Sequence, residues 1–413
     1  LLKVISNTLI LGTGQMTYSV YQHWDPLKAC IVGRSYNPEF YRFITNSRAR
    51  DVMERIARET EEDFQKLIKL LESFGVKIFR PNISDDYTFY LDPETNKISP
   101  PPMTPRDYSI MLGEDFFFNS RFFLTENNWK DLRGANWPIS LPKLSEIKRL
   151  PKFILEELKN NFGLLDEKFN PIQKLGVIEE FTWGDLLSSI DDEKIHIYVD
   201  HEQMIRFNSA MTTRIGKDLY FGTHTYHQDQ IALKKQAEQL FPNYRCHVVN
   251  TGGHADGTFC PVIPGLIVSL RDIPTYADTF PDWEVVYLPG QSWDAVRPFL
   301  DLKEKNKGKW WVPGEELNDD FTDFIEGWLS HWVGYVEETV FDVNMLVIDE
   351  KNVVCNNYNE QVFKAFDRHG ITPHIINFRH RYFWDGGLHC ITSDLHREGV
   401  MKDYFPERGL ALT

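Results

Sequence analysis

Apolar and polar positions alternate along this chain with two periods, and the order in which the periods follow one another repeats. In "ARDVMERIARETEEDFQKLIKLLESFG" the apolar residues Val52, Ile56, Phe64, Leu67, Leu71 and Phe74 keep to helical spacing, and Gly75 suits the position just past a helix end. The short β-rich run "VKIFRP" follows. The same grammar of amphipathic helix, turn and strand recurs in "DQIALKKQAEQLFPNY" with "RCHVVN" and in "NEQVFKAFDRHG" with "ITPHIINF", and more weakly in "YADTFPDW" with "EVVYLPG".

Strand–turn–strand patterns interleave with these helices. "YSIMLGEDFFFNS", "TRIGKDLYFGT", "TFCPVIPGLIVSL" and "NMLVIDEKNVVCN" each place turn residues between runs of β-formers. "ACIVGR" near the start opens a further unit. The coarse repeat is therefore hairpin, helix, strand, about five times. Units of this kind bury their apolar faces by packing on neighbours. A closed ring of mixed α/β modules satisfies that need, and an open doubly wound sheet is the competing arrangement. The stretch at about 301–340 interrupts the pattern with a charged loop and an aromatic amphipathic helix. Its Trp310, Trp311, Trp328 and Trp332 read first as packing residues, and second as a lid or a subunit contact.

Composition narrows the partners. With 413 residues, 42% hydrophobic, 25% charged and 14% aromatic, the chain can fill a sizeable core. Its formal net charge of −15 lacks the basic footprint that nucleic acid or an anionic membrane requires. No run of eighteen apolar residues spans a membrane. The opening "LLKVISNTLILGTG" lacks an initiator Met and reads as the start of a mature chain rather than a signal peptide. Five scattered cysteines, Cys30, Cys246, Cys260, Cys355 and Cys390, form no CxxC pair, which points to reduced thiols in a cytoplasm-like compartment.

Three stretches put polar groups where a strand-rich core would not choose them. "VNTGGHADGTF" sets His254 and Asp256 two residues apart, on one face if the segment is extended. "GGLHCITSDLHREG" again follows paired glycines with a histidine, His389, and with Cys390. "PPMTPRDYSI" ends a proline-rich loop in Arg106 and Asp107 directly before a strand. A thiol needs a cation or base nearby to become a nucleophile. A histidine can shuttle protons near neutrality, and carboxylates can clamp a planar cation. One cysteine, one histidine and two or three carboxylates suit attack on a guanidinium carbon. Buried filler remains the ordinary reading for Cys30, Cys246, Cys260 and Cys355. In a strand, His389 would point away from Cys390, so the base for that thiol is expected elsewhere. No Cx2–4C or HExxH pattern or Walker-type loop supports a metal or nucleotide cofactor, and none is expected.

These residues resemble the amidinotransferase family, of the glycine amidinotransferase type within the guanidino-modifying superfamily. "YQHWDPLKACIVGR" is similar to its first strand signature, and "MTPRDYSIMLGEDFFFNSRFF" to its Pro-Arg-Asp strand and the segment after it. "GGHADGTFCPVIPGLIVS" resembles its His-x-Asp stretch, and "GGLHCITSDLHREG" its cysteine stretch. The four occur in family order from about residue 17 to 400. The resemblance implies a single catalytic domain over 1–413. It also implies an α/β propeller of five ββαβ modules about a pseudo-fivefold axis.

By motif, the resemblance implies Cys390 as nucleophile, His254 as general acid/base, and Asp107 and Asp256 as the guanidinium grip. The substrates it implies are an arginine-like donor and an amine acceptor, and a homodimer is the oligomer considered. Hydrolysis of a guanidino compound, or an inactive binding relative, are the alternatives. Two departures stand out. The family's third catalytic Asp, in a Phe-Asp-Ala-Ala segment, is replaced here by Asn208 in "FNSAMTTRIGKDLYFG". Asn can orient an imidazole but cannot stabilise its cation with a full charge. The second departure is the Trp-rich stretch at 301–340, which looks longer than its family counterpart; nearby, the carboxylate-binding arginine has no clean match, Arg271 in "SLRD" being close but out of register.

Overall fold

The computed structural model describes residues 18–81, 83, 91–92, 97–98, 100–119, 194–198, 209–223, 227–269, 276–288, 312–329, 333 and 342–409. In chain order its strands are β1 (Leu27–Val32), β2 (Lys77–Phe79), a two-residue pair β3 (Leu91–Asp92) and β4 (Lys97–Ile98), then β5 (Ser109–Leu112), β6 (Asp115–Asn119) and β7 (Ile195–Tyr198). There follow β8 (Thr212–Ile215), β9 (Asp218–Thr223), β10 (Arg245–Asn250), β11 (Phe259–Ile263), β12 (Leu266–Ser269) and β13 (Glu284–Tyr287). The last are β14 (Leu346–Asp349), β15 (Asn352–Cys355), β16 (Thr372–Ile375) and β17 (Thr392–Arg397). The longer helices are α1 (Ser47–Ser73), α2 (His227–Leu240), α3 (Asp319–Trp328) and α4 (Glu360–Arg368). No described helix is long and apolar enough to cross a membrane.

The strands form five three-stranded sheets among the described residues, all with one pairing rule. An antiparallel pair is extended by a third strand parallel to its second member: β5-β6-β7, β8-β9-β10, β11-β12-β13 and β14-β15-β16. A parallel third strand needs a crossover, which α2, the turn at Tyr276–Thr279 and α4 provide in the last three sheets. The expected hairpin–helix–strand unit is thus the unit of the fold. The fifth sheet is assembled differently. β1 and β2, joined through α1, run parallel, but the antiparallel partner of β1 is β17, so Val32 pairs with Thr392 from the far end of the chain.

α1 shows how the pattern builds the core. Asn46 caps it, accepting from the backbone N–H of Arg48 and Ala49. Its buried stripe includes Val52, Ile56, Phe64, Leu67 and Leu71, while Gly75 takes φ +75° where the chain turns into β2. The stripe packs on Val32, Leu346, Phe378 and Trp384, and α3 joins the same core through Phe321, Phe324 and Ile325. Trp328 on α3 stacks near Phe43 and Phe324, in keeping with a packing role. Trp310, Trp311 and Trp332, with most of the 301–340 stretch, lie outside the described residues.

Where the sheets meet, one buried carboxylate binds three guanidinium groups. Asp394 of β17 accepts from Arg106 Nη1 at 2.7 Å, from Arg214 Nη2 at 2.7 Å to both oxygens, and from Arg397 Nε at 2.6 Å. The same arginines reach onward to backbone carbonyls of Thr392, Met111 and Val347. First strands of four sheets, β17, β5, β8 and β14, are thereby tied to one side chain. Burial alone would raise the Asp394 carboxyl, but Arg214, Arg106 and Arg397 outweigh it and hold it well below the usual range. Burial pulls Arg214 down to about 10, which leaves it charged at neutral pH.

Replacing Asp394 by Asn keeps the shape and strands three buried guanidinium groups without a counter-charge. The expected loss is at least about 3–5 kcal/mol in urea unfolding; a loss below about 1 kcal/mol contradicts the hub. Because the folded-state pKa of Asp394 is depressed, its stabilisation is present above the unfolded value of about 4 and is lost as pH falls below it. The wild-type protein should therefore lose stability steeply on that acid limb, and the Asn variant less so.

Candidate functional site

Each first strand is preceded by a loop that carries a polar residue close to its start. Asp107 ends the single helical turn Pro105–Asp107 before β5, and the Arg106 N–H donates to the Cys390 carbonyl at 3.3 Å. His254 caps, and Asp256 sits within, the turn Ala255–Gly257 before β11. Cys390 lies two residues ahead of β17, and Asn344 two residues ahead of β14. His254 and Asp256 therefore share a site through a tight turn rather than through the alternation of an extended strand.

The two Gly-Gly pairs serve different needs. Gly252 takes φ +70°, a conformation that side chains disfavour. Gly387 instead permits close approach: a Cβ there would lie 2.6–2.8 Å from Asn344 side-chain atoms, and one on Gly386 would lie 2.9 Å from Thr104.

These loops converge on Asp256. Its Oδ2 accepts from His389 Nδ1 at 2.7 Å and faces Cys390 Sγ at 3.4 Å. The expectation that His389 points away from the cysteine is overturned, because both residues belong to the turn ahead of β17 and strand alternation does not apply there. His254 Nδ1 lies 3.8 Å from Asp107 Oδ1, and each side chain is 19% exposed. Cys390 is 1% exposed, yet its sulfur is flanked by Asp256 and Asn344 rather than sealed in hydrocarbon. The half-buried His254 and Asp107 thus form the solvent-facing side of the cluster.

Burial sets the protonation of this group. It pulls the His389 imidazole down, with Arg106 adding to the effect, so the ring is neutral at pH 7 and its Nδ1 proton is donated to Asp256. Burial would raise Asp256, but the bond from His389 and the neighbouring His254 and Arg106 keep its carboxyl below the usual range. His23, with its ring centroid 5.7 Å from that of His389, is driven well below its ordinary value by burial and by Arg214. Cys30, Cys246, Cys260 and Cys355 are buried and unpaired. Burial pushes Cys30 and Cys260 up to about 12, which fits inert filler. Asn208 and Arg271 lie outside the described residues. Among the described residues no cluster of His, Cys, Asp and Glu has an arrangement that could hold a metal.

Asn344 escaped the sequence reading. Its signal was positional: it opens "NMLVIDEKNVVCN", the fourth hairpin, at the point where the other units carry Asp107, Asp256 and Cys390.

No family model matches the chain. Across 93% of its length, and 84% of the relative's, it is 23% identical to a mitochondrial glycine amidinotransferase of Xenopus tropicalis. It is 20% identical to an L-arginine:L-lysine amidinotransferase of Pseudomonas savastanoi pv. phaseolicola, over 93% of this chain and 95% of that one. The chain is homologous to the amidinotransferases. Its fold also matches solved structures of that kind. The amidinotransferase SxtG of Microseira wollei superposes with TM-score 0.54 at 18% identity, covering 94% of this chain and all of that one. The inosamine-phosphate amidinotransferase of Streptomyces griseus gives 0.52 at 17% identity, covering 94% and 99%.

A methyl group at Gly387 must displace the buried Asn344 amide. Gly387→Ala is expected to slow alkylation of Cys390 at least about tenfold and to cost about 1–3 kcal/mol, as overpacking does. Peptide-mapped labelling and unfolding curves check both, and labelling at the wild-type rate contradicts the contact.

Proposed function

We propose that the protein transfers an amidino group from an arginine-like donor to an amine acceptor through an intermediate on Cys390. The observation that carries the reading is the meeting of Cys390 Sγ with Asp256, beside the His254–Asp107 pair, in a chain aligned over 93% of its length with amidinotransferases.

In this reading the donor's planar cation is gripped by Asp107 and Asp256. The Cys390 thiolate attacks the guanidinium carbon, and a tetrahedral adduct forms. As the carbon–nitrogen bond to the departing amine breaks, His254 gives that nitrogen a proton, leaving an amidino-thioether on the sulfur. The acceptor amine, giving its proton to His254, then attacks the same carbon and releases the thiolate. Asn208 takes the part of an orienting group for the imidazole, and Arg271 that of a contact for a substrate carboxylate. Water as acceptor would convert the same intermediate to a ureido product, which is the second reading.

The finer architecture belongs to the same proposal. Five like sheets, closed by β17 on β1, support a five-module ββαβ propeller with the site at its axis, in one catalytic domain spanning 1–413. Five cysteines in no disulfide support a reducing, cytoplasm-like setting. The net charge of −15 favours small cationic substrates over nucleic acid or membrane. A homodimer is the assembly we favour.

Incubation with arginine labelled at the guanidino carbon and a panel of amines tests this. The label is expected on Cys390 after a single turnover and then on one acceptor, with ornithine released. Label recovered only in citrulline establishes hydrolysis, and no label on Cys390 with any amine overturns both readings. In the active enzyme, Asn208→Asp is expected to move the alkaline limb of the pH–rate profile for the donor half-reaction upward, because a full negative charge favours the imidazolium that protonates the departing amine; an unmoved profile contradicts a role for residue 208 in orienting His254.

A further inference from the structure

Asn344 has no part in the chemistry set out above, yet every polar atom of its side chain is spent on the cysteine loop and its partner carboxylate. Its Oδ1 accepts from the backbone N–H of His389 at 2.8 Å and of Cys390 at 3.1 Å. Its Nδ2 lies 3.0 Å from Cys390 Sγ and 3.3 Å from the Asp256 carbonyl. The residue is fully buried. The orientation of the amide follows from its partners: two backbone N–H groups can only donate, so the atom facing them is oxygen and the nitrogen must face the sulfur.

That nitrogen meets a specific electrostatic problem. Asp256 Oδ2 lies 3.4 Å from the sulfur, so a protonated thiol can donate to it, whereas a thiolate there would face a carboxylate. Among the described residues, the other charged and titratable groups of the surrounding loops include His389 on Asp256, His23 beside His389, Arg106 held by Asp394, and the His254–Asp107 pair. The Asn344 amide is a donor aimed directly at the sulfur.

We propose that Asn344 is a further catalytic residue, whose side-chain N–H is donated to the Cys390 sulfur and favours its thiolate while its carbonyl fixes the cysteine loop. The proposal rests on Cys390 being the nucleophile. It divides one amide into two separable parts, an acceptor for the backbone and a donor for the sulfur. Asn344→Asp separates them, since a carboxylate still accepts from both backbone N–H groups but turns an oxygen toward the sulfur.

The test is the pH dependence of Cys390 alkylation by iodoacetamide, read as added mass on the Cys390 peptide, with Cys390→Ser as the blank. Hydrogen bonds to charged groups carry enough energy to move a titration by about one to two pH units. Asn344→Asp is therefore expected to move the alkylation midpoint upward by at least about one unit, slowing alkylation at pH 7 about tenfold. Because a carboxylate at 344 raises the midpoint by its charge alone, the deciding variant is the neutral Asn344→Ala: loss of the donor raises the midpoint there too, and an unmoved midpoint in Asn344→Ala overturns the proposal. Should the Asp variant not fold, Asn344→Ser, checked by circular dichroism, is read by the same criterion. The same preparations are exposed to labelled arginine. Wild-type enzyme that takes no amidino label, while the neutral Ala variant shows the shifted midpoint, would sink the transfer reading and leave the Asn344 assignment standing. Labelled wild type with an unmoved variant would sink only the latter.

Discussion

A lone buried carboxylate among three buried guanidinium groups is an expensive arrangement. Each charge removed from water costs several kcal/mol, and only near-ideal geometry offsets it. Asp394 meets that condition with four bonds of 2.6–2.7 Å, and its arginines extend the network to backbone carbonyls of three sheets, Arg214 itself belonging to a fourth. A hydrophobic centre could also fill the space where the sheets meet, but it would not specify which strand faces which. The ionic hub does, because Arg106, Arg214 and Arg397 each have one position from which both Asp394 and a particular carbonyl are reached.

The site inherits its precision from that constraint. Asp394 lies four residues beyond Cys390, and Arg106 directly precedes Asp107. The hub and the reactive groups are therefore successive layers of the same loops and strands. Excess positive charge in the lower layer also helps keep Asp256 ionised and His389 neutral in the upper one, since Arg106 contributes to both. Structure and electrostatics are in this sense one device, and a substitution in the lower layer is felt as a change of protonation above it.

Much of this was legible before any coordinates. Period-2 runs about turn residues marked all four internal hairpins, and the 3.6-residue stripe from Val52 to Leu71 marked α1, because each face is set by local alternation against a core. Cys390, His254, Asp256 and Asp107 were legible as polar groups placed at glycine turns or ahead of strands. What local pattern could not convey was the conformation inside those turns. His389 was assigned to the wrong side of the chain because it was read as strand, and Asn344 was passed over because an asparagine before a hairpin reads as ordinary turn chemistry. The union of β17 with β1 was likewise invisible, since no local signal couples residues more than 300 positions apart.

That last pairing has a consequence for biosynthesis. The opening strand β1 leaves the ribosome early but cannot complete its sheet until β17 has been made, so the nascent chain carries an unsatisfied strand edge through most of its translation. Cysteine, hub aspartate and closing strand all reside in one stretch of ten residues, 388–397. Premature termination upstream of it would yield a product with an open edge and without Cys390 or Asp394, so that a truncated polypeptide is exposed to aggregation and lacks both the hub and the sulfur above it.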